Sequence, residues 1–194
     1  MNKRGILIVL SGPSGVGKGT IRRLVMADLS LNLVYSISMT TRKPRNLEID
    51  GKDYFFVTKE EFKEKIKENG FLEYTQFVGN YYGTPKDYVL ELLNRGKNVF
   101  LEIEINGAKQ VMDHYKDDHM VTIFLVPPSL EELENRIRNR KTETEEVIRE
   151  RLEKAQSEMK LANMYDFTVV NDDIQKAANA IQEIIRDKID SLED

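Results

Sequence analysis

Gly12-Pro13-Ser14-Gly15-Val16-Gly17-Lys18-Gly19-Thr20 follows the apolar run Ile6-Leu7-Ile8-Val9-Leu10 and precedes a segment with Ile21, Leu24, Val25 and Leu29 at helical spacing. An unbroken apolar run is the pattern of a strand covered on both faces, and the later spacing is that of an amphipathic helix. A glycine-rich turn between strand and helix is the context a phosphate loop requires. Glycines there turn backbone N–H groups toward phosphate oxygens, and the helix N-terminus adds its dipole. Lys18 stands where a lysine brings a point charge to the β- and γ-phosphates of a nucleoside triphosphate. Gly12, Pro13, Ser14, Gly15, Val16, Gly17, Lys18, Gly19 and Thr20 are the candidate triphosphate ligands. The competing reading is a glycine-rich turn with a chance lysine. The slot that usually supplies a magnesium-binding hydroxyl is Gly19, with Thr20 next. Thr20 is therefore at most a weak ligand, and Mg2+ is expected to be held mostly by nucleotide phosphates and water.

Strand and helix patterns alternate along the chain, which predicts an α/β fold around a mainly parallel sheet. Leu33 to Ser38, Val99 to Ile103, Val121 to Val126 and Phe167 to Val170 read as four further strands. Ile174, Ala177, Ala178, Ile181, Ile185 and Ile189 predict a closing helix. Two regions break the rhythm. The first holds aromatic, alternating stretches, Tyr54 to Val57, Phe71 to Tyr74 and Tyr81 to Gly83, with a helix start at the capping box Thr58…Glu61 and another helix after Pro85. It predicts a small, partly antiparallel lobe. The second, Arg136 to Thr144, lies between the capping box Ser129…Glu132 and a charged helix with the stripe Ile148, Leu152, Ala155, Met159 and Ala162. A polar, arginine-rich connection of this kind suits a mobile lid.

The chain has 194 residues, no cysteine and a net charge of -4. That length fits one compact domain or a core with small inserted lobes, and the lack of cysteine excludes disulfides, thiolate zinc sites and a thiol nucleophile. The mild negative charge argues against general nucleic-acid binding. Basic residues cluster at Arg42, Lys43 and Arg45 and again at Arg136, Arg138, Arg140 and Lys141. Small basic patches on an acidic protein suit a small anionic ligand, although solvated loops would look the same. The apolar run at residues 6–10 is too short for a signal peptide or a membrane span, so no membrane partner and a cytoplasmic location are expected. His114 and His119 read as surface residues of a polar loop.

A phosphate loop alone does not distinguish a hydrolase from a transferase. The stretch Tyr35-Ser36-Ile37-Ser38-Met39-Thr40-Thr41-Arg42-Lys43-Pro44-Arg45 resembles the acceptor-binding signature of guanylate kinases. So do Gly51 to Phe56, Phe71-Leu72-Glu73-Tyr74 and Gly79-Asn80-Tyr81-Tyr82-Gly83-Thr84. Arg140 to Glu145 and Val170-Asn171-Asp172-Asp173 are similar to that family's lid and adenine-side elements. The resemblance runs in order from about residue 5 to residue 175. It implies a P-loop NTPase-like three-layer α/β fold with a central, mainly parallel five-stranded sheet, an inserted GMP-binding lobe and a small lid. The corresponding division is a core of 1–35 and 97–194, a lid at about 136–150 and a GMP lobe of 36–96. The implied activity is Mg-dependent transfer of the γ-phosphoryl group of ATP to GMP, and to dGMP, in purine nucleotide metabolism and GMP recycling. Oligomeric state, monomer or homodimer, is not fixed by it.

The resemblance assigns Arg42, Arg45, Tyr54 and Tyr82 to the GMP phosphate. Guanidinium forks and tyrosine hydroxyls have the donors for that task, with core packing as the alternative for the tyrosines. Glu73, between apolar neighbours, can accept from both N1–H and the 2-amino group of guanine. Adenine offers neither donor, a mismatch that can reject the wrong base by on the order of 10⁴-fold. An exposed strand glutamate is the alternative. Ser38, Thr84 and Glu104 match further base-side positions, with Thr84 in place of a common serine and Glu104 in place of aspartate. Glu102 and Glu104, two apart on the third strand, are expected on one face. Asn106 stands where relatives often have glutamine, and Lys141 where they often have glycine. Lys18, Arg42, Arg140 and Arg151 are the candidate catalytic residues, with Arg136 and Asn171 on the ATP side. Any one arginine could instead pair with a local glutamate such as Glu132 or Glu145. A catalytically dead phosphopeptide-binding module of the same family is disfavoured by the intact loop. A kinase for another phosphorylated acceptor is disfavoured by Glu73 and Ser38.

Overall fold

In the computed structural model, which describes residues 3–139 and 144–192, the apolar run before the loop becomes β1 (Leu7–Ser11), buried along its whole length. The chain continues through α1 (Lys18–Val25), β2 (Leu33–Tyr35), β3 (Met39–Thr40), β4 (Phe55–Phe56) and α2 (Lys59–Lys67). Next come β5 (Phe71–Phe77), β6 (Asn80–Pro85), α3 (Lys86–Asn94), β7 (Asn98–Glu102) and α4 (Ile105–His114). It ends with β8 (Met120–Val126), α5 (Leu130–Arg138), α6 (Glu145–Met159), β9 (Phe167–Val170) and α7 (Ile174–Asp190).

The main sheet has the order β2-β7-β1-β8-β9, and every pairing in it is parallel. Because strand side chains alternate, β1 feeds two cores. Ile8 and Leu10 face Ile21 and Val25 of α1 and Ile181 and Ile185 of α7. Leu7 and Val9 face Val89 and Leu93 of α3 and Ile105 and Val111 of α4. These are the three layers. Each fully buried aliphatic side chain contributes about 1.5–3 kcal/mol, so truncating Ile8 to alanine should cost about 2–5 kcal/mol. Placing β1 at the centre sets the loop that follows it at the carboxyl ends of the strands, where open α/β sheets bind ligands.

A second sheet, β4-β3-β6-β5, is partly antiparallel, as the aromatic stretches predicted. Phe62 of α2 stacks on Phe71 and Tyr81, at ring-centroid separations of 4.3 and 5.3 Å. The Thr58…Glu61 capping box is formed in full. The edge of β5 lies against α4, where the Gln110 side chain accepts from Tyr74 N–H at 3.1 Å and donates to Tyr74 C=O at 3.0 Å.

Several local expectations are corrected. Leu29 does not extend the α1 stripe: the helix ends at Val25, Asp28 caps a short 3-10 turn, and Leu29 is 90 % exposed. The second strand stops at Tyr35. Glu104 is not on the third strand, which ends at Glu102; it is the N-cap of α4, a helix not expected from the sequence. His114 closes that helix rather than lying in a loop. Arg136 belongs to α5, since helical geometry persists to Arg138.

Candidate active site

The phosphate loop is held from behind before any ligand arrives. Gly12 has φ +151°, and a Cβ there would stand 2.3 Å from the carbonyl oxygen of Leu125 on β8, so only glycine fits against that strand. The amide of buried Asn171 donates to the carbonyl of Val16 at 2.8 Å. The Asn171 carbonyl in turn accepts from Arg136 at 2.9 Å, while Arg136 Nε donates to Glu132 at 3.0 Å. The local glutamate pairing open to Arg136 is thus formed. At the loop's rim, Arg151 of α6 donates to Ser14 Oγ at 2.7 Å. Arg140 and Lys141 lie outside the described residues.

Lys18 opens α1 and folds back over the loop, its Nζ donating to the carbonyls of Gly12 at 2.5 Å and Pro13 at 3.2 Å. Burial lowers its ammonium pKa, and the charges of Glu102, Glu158 and Glu104 oppose that shift. These groups share a cleft of about 560 Å³ lined by the loop, Thr20, Arg22, Glu102, Glu104, Lys154 and Glu158. Glu102 is set by Arg22, whose Nε lies 3.2 Å from its carboxylate and whose guanidinium sits 4.2 Å from the centroid of the Tyr35 ring. A Cβ at Gly19 would be 3.7 Å from Glu102 Oε1, so this carboxylate borders the loop. Burial raises the Glu158 carboxyl pKa, against the charges of Lys154 and Lys18. Thr20 Oγ1 accepts from Arg23 at 3.5 Å. Arg22, Lys154 and Glu158 were missed from sequence. Arg151, Lys154 and Glu158, spaced by three and four residues on one helical face, carried the signal for the last two.

The residues read as acceptor ligands lie on or beside the second sheet. Arg42 is flanked by the rings of Tyr54 and Phe56, with its guanidinium carbon 5.3 and 5.8 Å from their centroids. Tyr54 and Tyr82 meet edge to face at 6.4 Å. Arg42 is also engaged by Glu48, at 2.9 and 2.8 Å, which raises the guanidinium pKa still further and lowers that of Glu48. Arg45 is exposed beside it, its backbone N–H donating to Glu48 at 2.7 Å. The structure therefore brings Arg42, Tyr54 and Tyr82 together with Arg45 adjacent.

Glu73 is buried on β5, with 7 % of its surface exposed, and accepts from Thr84 Oγ1 at 2.6 Å. A Cβ on Gly107 would stand 2.8 Å from Glu73 Oε2, so α4 packs closely beside the carboxylate and a larger residue there would have to displace it. Burial raises the Glu73 carboxyl pKa, the Thr84 hydrogen bonds lower it, and Glu104 adds a small rise. Glu73 is not an exposed strand glutamate. Ser38 is half-buried, its carbonyl accepting from Phe55 N–H at 2.9 Å. Glu104 is exposed at the mouth of α4, within the cleft that holds Lys18. Among the described residues no group of three or more His, Cys, Asp or Glu side chains is arranged to hold a metal ion, and no helix is long and apolar enough to cross a membrane.

A protein-family model described as guanylate kinase matches residues 4–188 of this chain. Among solved structures, the crystal structure of guanylate kinase from Anaplasma phagocytophilum is similar, with a TM-score of 0.71 and 33 % sequence identity over 96 % of this chain and 87 % of that one.

Proposed function

The chain belongs to the guanylate kinase family and is an ATP:GMP phosphotransferase, and we propose residue by residue how it carries that reaction. ATP lies with its phosphates in Gly12–Thr20, cradled by backbone N–H groups and the α1 N-terminus. Lys18 leaves the carbonyls of Gly12 and Pro13 to meet the β- and γ-phosphates. Arg151, anchored at the loop rim through Ser14, and Arg140 neutralise charge on the phosphoryl group in flight. Arg136 and Asn171 support the ATP side, the Asn171 side chain bracing the loop backbone and Arg136 holding the Asn171 carbonyl.

GMP binds with its phosphate on Arg42, Arg45, Tyr54 and Tyr82 and its base on Glu73, Thr84, Ser38 and Glu104. The buried, hydroxyl-bonded carboxylate of Glu73 is the observation that carries the guanine assignment. It needs donors opposite it, and guanine's N1–H and 2-amino group supply two. dGMP is proposed as a second acceptor. No strong general base is required, because the acceptor phosphate is already an anion. Alignment and exclusion of water do the rest, with residues 36–96 closing as a lobe over a core of 1–35 and 97–194, and about 136–150 as lid.

The family works with a divalent cation, and the donor set here suits Mg2+: oxygen ligands only, with the Thr20 hydroxyl and the Glu102 carboxylate bordering the loop. Thr20, as a weak ligand, and Glu102 are the residues that would help hold the ion, most of its shell coming from the nucleotide and water. When bound, the ion neutralises the β- and γ-phosphate oxygens. The remaining proposals are a cytoplasmic enzyme without nucleic-acid or membrane partners, acting as a monomer or homodimer.

A coupled assay comparing GMP, dGMP, AMP, CMP and UMP as acceptors tests the reading. GMP and dGMP should turn over, and the others should be slower by orders of magnitude. Equal rates on AMP would remove the role given to Glu73.

A further inference from the structure

Glu48 collects three hydrogen bonds from the residues read as acceptor-phosphate ligands. Arg42 Nη1 and Nη2 donate to its two oxygens at 2.9 and 2.8 Å, and Arg45 N–H donates to Oε2 at 2.7 Å. Arg42 Nη1 also donates to the Lys43 carbonyl at 2.8 Å. A guanidinium has five N–H donors in one rigid plane. These contacts spend both hydrogens of Nη1 and one of Nη2. They do not spend the lateral edge, Nε–H with the second Nη2 hydrogen, which is itself a fork of the kind phosphate oxygens accept. The flanking Tyr54 and Phe56 rings restrict tilting of the plane, and the Tyr82 hydroxyl beside the same guanidinium would give up that contact to the phosphate it is read as binding.

The backbone of this segment needs the same carboxylate. Residues 45–48 form a turn closed by Glu48 N–H to Arg45 C=O at 3.1 Å, with Leu47 at φ +74°. That is the third position of a turn, where positive φ calls for glycine. The Leu47 side chain is 89 % exposed, so packing does not offset the strained backbone. The bonds to the Glu48 carboxylate hold the turn instead.

We propose that Glu48 is a positioning residue for GMP: its carboxylate fixes the turn that carries Arg45 and locks Arg42 with its lateral edge toward the acceptor phosphate. This rests on the reading of Arg42 and Arg45 as ligands of that phosphate. A carboxylate on an anion-binding arginine could also act as a competitor that must leave before GMP enters, and the two roles differ in sign. The geometry favours positioning, because the carboxylate is tied to its own turn through Arg45 N–H as well as to Arg42.

Glu48→Gln and Glu48→Asp test this in the coupled assay, with calorimetry of GMP and of guanosine, which lacks the phosphate. Glu48→Gln should raise KM for GMP about tenfold, the value of one charge-assisted hydrogen bond. KM for ATP and guanosine affinity should stay unchanged, and Glu48→Asp should recover part of the loss. An unchanged or lower KM for GMP overturns the proposal, the lower value establishing a competitor. Equal losses toward ATP, GMP and guanosine, with a lowered Tm, also overturn it, since they reveal a structural role alone. Arg42→Ala is run alongside. If it leaves GMP affinity intact, the phosphate-ligand reading falls and takes Glu48 with it; if it weakens GMP while Glu48→Gln does not, only the Glu48 proposal falls.

Discussion

Thr84 donates its hydroxyl to the carboxylate of Glu73 at 2.6 Å, in a wall where Thr84 is 1 % and Glu73 7 % exposed. A buried acceptor deprived of its donor costs more than the bond itself was worth. Thr84→Val, nearly isosteric, should therefore destabilise the protein by about 1–3 kcal/mol, whereas Thr84→Ser should be close to neutral. Urea denaturation of the three proteins decides the point; equal midpoints would mean the bond does not matter.

The same burial sets a pH dependence for the acceptor. A carboxyl whose folded pKa lies above its unfolded value takes up a proton on folding, so its burial favours the fold at low pH and costs stability once it ionises. Guanine binding has the opposite sign, because only the ionised carboxylate accepts from N1–H and the 2-amino group. GMP affinity should therefore rise with pH through a window above the ordinary glutamate range and then level off. The GMP phosphate itself titrates near pH 6, so the measure is the ratio of wild-type to Glu73→Gln affinities across pH. A flat ratio would contradict the assignment.

Lys18→Ala should lower kcat by about 10²–10³-fold, the usual loss when one preorganised donor to developing charge is removed. GMP binding should barely change, because Lys18 sits on the loop and not on the second sheet. Calorimetry with GMP alone separates the two quantities. A matching loss of GMP affinity would mean that Lys18 organises both sites.

Arg151→Ala breaks the link from α6 to Ser14, and kcat should fall while KM for GMP stays near its original value. Arg151→Lys should recover only part of kcat, since lysine lacks the planar fork. Steady-state kinetics with each substrate varied in turn provides the check.

Closure of the lobe on GMP predicts a smaller radius of gyration for the complex than for the free protein, read by solution X-ray scattering. Identical profiles would rule out a large hinge motion.

Much of the architecture was legible because β1 carries a continuous apolar run, β7 and β8 are mostly apolar, and the loop sits between a strand and a helix. The helix at 105–114 was not. Ile105, Ala108 and Val111 had the spacing, but Asn106-Gly107 reads as a turn in isolation, and only the close approach to Glu73 explains the glycine. Glu104 was misplaced for the same reason, since a strand's alternation was carried past its end. The pairing of Arg22 with Glu102 spans two elements far apart in the chain, and no local pattern encodes it. The Glu48 turn was not legible either, since leucine stands at its positive-φ position where glycine would have marked it.

The grip of Gln110 on both backbone groups of Tyr74 has an outcome beyond the nucleotide sites. An outermost strand such as β5 is normally open to recruitment by a neighbouring polypeptide, the first step toward fibrils. Here a single amide side chain stands in for the missing strand at Tyr74, so at that residue the margin of the small sheet is already taken when the protein is crowded among its own copies.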